Sequence, residues 1–395
     1  MSKPTRLFDY LKSNIDTAGR ILKLAKREKG GWKAYGKEEI IQIVDSISKG
    51  LLAKGIKKGD KVALMSGNRP EWNFIDFACN QLGVALVPLY PTLSAQDLSY
   101  IVKDAEAKML FVSNQDLVLK VEKAVSDNNL ELDIYTLDEV PNHQHYSALI
   151  EAGKQQDTDL KPYNDAVQPE DLLTLIYTSG TTGKPKGVYL THHNIISNVG
   201  ACSHLLTDDI KKSLSFLPLC HIFERMVVYM YISKGVNIYY AENLDNIVVD
   251  INEVKPEVFT TVPRVLEKVY DKVIEKGKAL TGIKKSLFFW AVELGHQYQE
   301  PKVNSAWYNF KLGIARKLIF SKWQQALGGN IKFIISGGAA LQQRLARVFW
   351  AADIKVLEGY GLTETSPVIA VNSWDADDVK FGSVGRVLKN LDVKI

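Results

Sequence analysis

This chain predicts an α/β fold with doubly wound parallel sheet, and three observations carry the prediction. From Glu39 to Val112, stretches with helical spacing alternate with short apolar runs, the order that buries a parallel sheet between helices. Two later apolar runs, Leu172–Tyr177 and Ile331–Ile335, break straight into glycine-bearing loops, and open α/β sheets bind ligands at that edge. The 395 residues, 46% hydrophobic and 24% charged, suffice for two or three domains or one large body with a sizeable core.

The first forty residues hold ten Lys/Arg against five Asp/Glu, with Leu7, Phe8, Leu11 and Ile15 at helix-like spacing. They read either as a basic amphipathic arm for a membrane surface or as a helix with one face on the core. A helix follows over 39–52 and a strand over 61–66, and Pro70 opens a helix to Leu82. Val84–Leu89 is a strand, Ser94 caps a helix to Ala105, and Met109–Val112 is a strand again. Residues 113–168 are polar and uneven, a peripheral excursion, and the His143-Gln144-His145 triplet gives no metal spacing worth pursuing.

Leu172 to Gly187 reads LLTLIYTSGTTGKPKG. A buried strand runs out into four hydroxyls (Thr178, Ser179, Thr181, Thr182), three glycines (Gly180, Gly183, Gly187) and two lysines (Lys184, Lys186). Glycine lets backbone N–H groups turn toward an anion, hydroxyls add short donors, and lysine supplies a mobile positive charge. The combination is a phosphate cradle. It is not G-x-x-x-x-G-K-[ST], because Thr178 stands five before Gly183 and Pro185 follows Lys184. A kinase-like phosphotransferase is therefore disfavoured. Gly187–Leu190 reads as a second strand, so the unit is strand, loop, strand, with a flexible surface hairpin as its blandest interpretation.

Thr191 caps a helix to about Leu206, and Lys212–Leu217 is a strand. His221 and Glu224 are three apart and would share a helix face, which by itself marks a core or capping histidine more often than a ligand. Between 276 and 325, nine Lys/Arg face only Glu293 and Glu300, and Leu287, Phe288, Phe289, Trp290, Trp307, Tyr308, Phe310 and Ile319 interleave with them. That mixture suits an anionic lipid surface or an ordinary helical layer over a sheet; RNA would use the same residue types, but no RNA-binding motif accompanies them. Ser336-Gly-Gly-Ala-Ala340 follows its strand without the G-x-G-x-x-G of a dinucleotide fold. Glu358-Gly-Tyr-Gly-Leu-Thr-Glu-Thr-Ser-Pro367 sets Tyr360 between glycines, with Thr363 and Glu364 behind it. It reads as a purine platform beside a Mg²⁺ ligand, or merely as a turn.

The net charge of +4 does not argue for nucleic acid. Cys79, Cys202 and Cys220 are scattered and odd in number, so neither a disulfide framework nor a zinc site is indicated, and a cytoplasmic location is expected. Neither a signal peptide nor a membrane span is visible.

The cradle, SGGAAL and EGYGLTETSP, in that order, resemble the adenylate-forming enzymes: acyl-CoA synthetases, luciferases and peptide-synthetase adenylation domains. PEWNFIDFACNQLGVALVPLYPTLS, LPLCHIFER and TVPRVLEKVYDKV are most similar to long-chain fatty acyl-CoA synthetases, and FGSVGR at 381–386 matches the approach to a third subdomain. The resemblance implies a large N-terminal domain: two doubly wound subdomains, 1–170 and 171–360, in a layered αβαβα body, and 361–395 as the start of a β-barrel part. It implies ATP-dependent ligation of a long-chain fatty acid to CoA, through acyl-AMP, with Mg²⁺.

By the same resemblance, Thr178 through Lys186 would wrap the β- and γ-phosphates, with Thr178 near Mg²⁺ and Lys186 counted among the catalytic groups. Gly338 and Ala339 would border the adenine pocket and acyl channel. Glu358 and Gly359 would meet the adenine edge and Tyr360, followed by Gly361, its face. Thr363 would meet the α-phosphate, Glu364 the metal, and His221 the point where carboxylate and nucleotide join. Expected partners are small molecules, with peripheral contact on the cytoplasmic face of a membrane and a homodimer left open. The family continues past the equivalent of Ile395 into a ribose-binding aspartate, a hinge and a small domain with a catalytic lysine, so weak or incomplete activity is expected of this stretch. An adenylating enzyme for an aryl or amino acid, and a non-enzymatic nucleotide or acyl-adenylate binding fragment, are the competing readings.

Overall fold

The structure is a computed structural model that describes residues 4–13, 22–128, 130–179, 183–243, 245–375 and 377–394. It divides into two compact units, Met1–Gly200 with Leu217–Glu242, and Ala201–Phe216 with Asn243–Ile395.

The first unit is organised on a seven-stranded sheet. In spatial order its strands are Gln144–His145, Asp133–Thr136, Ala107–Val112, Lys61–Met65, Ala85–Leu89, Leu172–Thr178 and Lys186–Thr191. All pairs are parallel except the last, which is antiparallel. Val62–Met65 and Ala85–Leu89 are buried throughout, as strands covered by helices on both faces must be. The helix Pro70–Asn80 starts with proline at its first turn, where no N–H is needed, and every one of its residues is buried. Ser94 caps Ala95–Asp104 by accepting from the Asp97 N–H at 3.1 Å. Lys61–Met65 lies between the next two strands of the chain, so the winding reverses there.

The sequence misleads at two places. The N-terminal forty residues are not one amphipathic helix: only Asp9–Lys12 is helical, and Lys23–Glu28 pairs antiparallel with Gly31–Gly36. Gly30 and Gly31, at φ +101° and +143°, make that reversal. Leu7, Phe8 and Leu11 are buried, so the core-facing alternative holds there, and Ile15 lies outside the described residues. Residues 113–168 do more than skirt the body. Gln115–Asp127 is an amphipathic helix whose Val118, Val121 and Ala124 are buried, and the two short strands after it finish the sheet edge. Short edge strands among polar residues carry little periodicity, which hid them.

The second unit carries Lys212–Ser215, Val258–Thr261, Phe333–Ser336 and Lys355–Gly361 in parallel, followed by antiparallel Val368–Val371 and Arg386–Val387. Helices Pro263–Lys278, Gly282–His296, Ala306–Ala315 and Gln343–Ala351 accompany these strands. No helix among the described residues is long and apolar enough to cross a membrane.

Candidate functional site

In the first unit the cradle is a β-hairpin. Leu172–Thr178 and Lys186–Thr191 pair so that Thr178 faces Lys186 and Tyr177 faces Gly187. A Cβ on Gly187 would come within 2.9 Å of Leu175 Cδ1, so the glycine admits that side chain. Gly183 has φ +89°, open to glycine at little cost. Ser179, Lys184 and Lys186 are exposed and Thr178 half-buried; Gly180, Thr181 and Thr182 lie outside the described residues. The expected strand, loop, strand arrangement is present, and its polar groups face solvent.

What fixes the hairpin sits at its base. Thr174, fully buried, donates to the Leu86 carbonyl at 2.7 Å and accepts from Arg225 Nη1 at 2.6 Å. Arg225 in turn pairs with Asp76 at 2.5 Å, both side chains inaccessible to water, and Tyr229 bonds to each. Asp76 comes from the buried helix Pro70–Asn80 and Arg225 from Ile222–Ser233, so one ionic cluster ties two helices to the strand that ends in Thr178. A buried pair of this kind adds little net stability, but losing one partner strands the other charge. Nearer the tip, Tyr177 donates to Asp104 Oδ2 at 2.5 Å, and Lys184 Nζ lies 5.7 Å from the Tyr100 ring centre. Burial first, and then Asp104, push the Tyr177 hydroxyl up, so it stays a neutral donor.

His221 and Glu224 do not share a helix face. His221 precedes the helix as its N-cap, extended at φ −90° and ψ 130°, and its Nδ1 accepts from the Phe223 N–H at 3.2 Å. Glu224 is buried in the first turn. Capping, one of the two roles open to this histidine, is what it does. Desolvation by surrounding protein lowers its pKa below the ordinary histidine value.

The second unit brings the other two motifs together. Phe333–Ser336 and Lys355–Gly361 are parallel neighbours with Ser336 opposite Glu358, so the Gly337–Ala340 loop leaves beside the Glu358-Gly-Tyr stretch. The buried Glu358 carboxylate accepts from the Leu341 N–H at 3.2 Å and so ties the loop's far end. Burial raises its pKa, and the Leu341 bond opposes that shift. Gly338 stands at φ +80°, and Gly338 and Ala339 are exposed. Tyr360 is 49% exposed, an aromatic face offered to solvent between glycines. Gly361 has a steric reason: a Cβ there would lie 1.8 Å from the Pro367 carbonyl oxygen. Thr363 is buried and Glu364 exposed in a short helical turn just beyond.

Two residues escaped the sequence reading. Thr261 and Ser336 are register partners at the ends of adjacent strands, both buried, and neither hydroxyl has a hydrogen-bond partner. Buried hydroxyls normally find one, so this pair beside the Gly337–Ala340 loop is suited to a ligand's polar atom. A strand ending Thr-Thr-Val-Pro was the only signal, and register alone makes it useful. The first unit also holds a cavity of about 410 Å³ at its winding reversal, whose lining includes Ser66, Asn68, Arg69, Ser113, Asn114 and Asp138. Arg69 there is paired with Glu71 and Asp138, at 3.0 and 2.7 Å.

Residues 27–395 match the AMP-binding enzyme family. The chain belongs to that family. It is 32% identical to the long-chain-fatty-acid–CoA ligase FadD15 of Mycobacterium bovis, covering 93% of this chain and 61% of the relative. Long chain acyl-CoA synthetase 3 of Arabidopsis thaliana is 31% identical over 92% of this chain and 56% of its own. Fatty acyl-CoA synthetase A of Dictyostelium discoideum is 30% identical over 100% of this chain and 60% of its own. The chain thus spans about three fifths of these relatives' length or less. Among solved structures, a long-chain-fatty-acid–CoA ligase (FadD1) from Archaeoglobus fulgidus superposes with TM-score 0.73 at 18% identity, covering 98% of this chain and 70% of that one. The N-terminal domain of FACL13 from Mycobacterium tuberculosis gives 0.69 at 21% identity, covering 97% and 82%. The fold is that of the N-terminal domain of adenylate-forming enzymes, as the motifs led us to expect.

Proposed function

We propose that this chain is the adenylate-forming body of a long-chain fatty acid–CoA ligase. A fatty carboxylate attacks the α-phosphate of ATP, giving acyl-AMP and pyrophosphate, and the CoA thiol then displaces AMP to leave the thioester. The observation that carries this reading is identity of 30–32% over 92–100% of the chain to relatives named for that activity, with the phosphate-type hairpin and the glycine loops retained.

A carboxylate is a weak nucleophile facing a highly anionic electrophile, so the task is positioning and charge neutralisation rather than covalent catalysis. Thr178 through Lys186 take that role toward the β- and γ-phosphates, with Lys184 and Lys186 as mobile cations. Gly338, Ala339, Glu358, Gly359, Tyr360 and Gly361 receive the adenine, and Thr363 the α-phosphate. His221, neutral at pH 7 because its pKa is lowered, leaves Nε2 for the reacting carboxyl while Nδ1 caps its helix. Among the described residues no group of three His, Cys, Asp or Glu side chains gathers for a metal. That suits Mg²⁺ held by one carboxylate, one hydroxyl, phosphate oxygens and water, with Glu364 and Thr178 as the protein's donors. When bound it would neutralise phosphate charge.

Fatty-acid-dependent ATP–pyrophosphate exchange, run on the full-length gene product that contains this chain, tests the proposal. Palmitate is expected to drive exchange, with benzoate and amino acids inactive. Exchange driven by an aryl or amino acid instead would reassign the substrate, and ATP binding with no exchange for any acid would leave a binding module.

A further inference from the structure

The helical layer of the second unit carries a surface that the proposed reaction does not use. On Ala306–Ala315 and the π-helical turn Arg316–Phe320 that extends it, Trp307, Phe310, Ile314 and Leu318 are 66, 60, 39 and 44% exposed. Their spacing places all four along one stripe. The opposite side is where the helix packs: Leu312, Ala315, Ile319 and Phe320 are buried, and Tyr308 donates to the Leu294 carbonyl at 2.6 Å. Trp307 and Phe310 stack, their centres 5.6 Å apart and their planes 14° from parallel, forming one flat apolar plate. Single exposed apolar residues need no explanation, whereas a continuous aromatic and aliphatic row does.

Its charge says what covers it. From residue 301 to residue 352 there are eight Lys/Arg and no Asp or Glu. Lys311 and Lys317 flank the stripe at helical spacing, with Lys311 Nζ 5.8 Å from the Trp307 ring centre. Neither lysine makes an ion pair among the described residues. The rest of the basic and aromatic region behaves as an ordinary layer: Phe288 and Ile319 are buried, and Phe289 and Trp290 are half-buried. We propose that the Trp307–Leu318 face is an interfacial docking surface for an anionic lipid bilayer, its aromatic plate at headgroup depth and Lys311 and Lys317 against the lipid phosphates. A protein partner of opposite charge would need carboxylates around an apolar groove, whereas a bilayer offers uniform negative charge over an apolar interior.

Co-sedimentation of the chain with phosphatidylglycerol–phosphatidylcholine vesicles tests this against pure phosphatidylcholine vesicles, at low and physiological salt. Binding is expected to the anionic vesicles and to weaken with salt. Lys311→Gln with Lys317→Gln is expected to lower the partition coefficient about thirtyfold, and Trp307→Ser with Phe310→Ser by at least about tenfold. All four side chains lie on the outer face, so thermal melting should match wild type and separates lost binding from lost fold. The proposal is overturned if wild type stays in the supernatant with anionic vesicles, if neutral vesicles bind equally, or if both double variants bind as wild type does. Light scattering showing a dimer that Trp307→Ser with Phe310→Ser dissociates would overturn it too, by making the face a contact between two copies.

Discussion

Gly361 shows how a single missing atom sets the purine platform. Any Cβ there collides with the Pro367 carbonyl, 1.8 Å from the oxygen and 2.7 Å from its carbon, and backbone cannot swing aside as a flexible side chain would. Gly361→Ala should therefore cost about 1–3 kcal/mol of stability and shift Tyr360. Fatty-acid-dependent exchange is expected to fall at least tenfold, while a change at nearby exposed Leu362 to Ala leaves melting within about 0.5 kcal/mol of wild type. Gly338 differs: its φ of +80° is strained for other residues, but nearby atoms leave room. Two glycines of similar appearance in sequence thus serve different ends, one steric and one conformational.

Among the elements, the strand Leu172–Thr178 and the N-terminal segment each hang on one buried polar contact. The Asp76–Arg225 pair has no access to water, so Asp76→Ala would leave a guanidinium buried beside Thr174 and Tyr229. Denaturant unfolding should show a loss of about 3–5 kcal/mol. A loss under about 1 kcal/mol would mean that the cluster does not hold the strand.

His192 fastens the N-terminal segment: its Nδ1 accepts from the Leu7 N–H at 3.1 Å, its Nε2 has no partner, and the ring is fully buried. Burial lowers its pKa to about 4, with Asp171 and Asp9 opposing and Arg6 and Arg225 reinforcing the shift. The unfolded chain, titrating near 6.5, binds more protons than the folded one between those values. Stability from this group is therefore complete above about pH 6.5 and lost as pH falls toward 4, by about 3 kcal/mol in all. Melting against pH should drop through that window, and His192→Gln should flatten it.

Across the whole molecule, what the sequence disclosed followed the strength of its periodicity. The run from Lys37 to Val112 was legible because its strands are buried on both faces and its helices carry explicit starts such as Pro70 and Ser94. The hairpin at 30–31 and the edge strands at 133–136 and 144–145 were not, since a polar strand a few residues long leaves no pattern above its loops. Of the candidate residues, composition announced Lys184, Lys186, Gly338 and Tyr360. Thr261 and Ser336 are meaningful only because parallel register sets them side by side, 75 residues apart in the chain. His221 sits at the boundary of legibility: its spacing from Glu224 suggested a shared face, and only the extended backbone before Ile222 reveals a cap.

The function requires that the lysine-bearing hairpin of the first unit and the tyrosine platform of the second serve one ATP molecule. Calorimetric titration of ATP into wild type, Lys186→Ala and Tyr360→Ser measures this most directly. Both side chains are exposed, so both variants should fold normally. Loss of a phosphate cation and loss of a stacking ring should each weaken ATP binding about tenfold, an effect of about 1–2 kcal/mol. Either variant binding ATP as tightly as wild type would contradict the assignment.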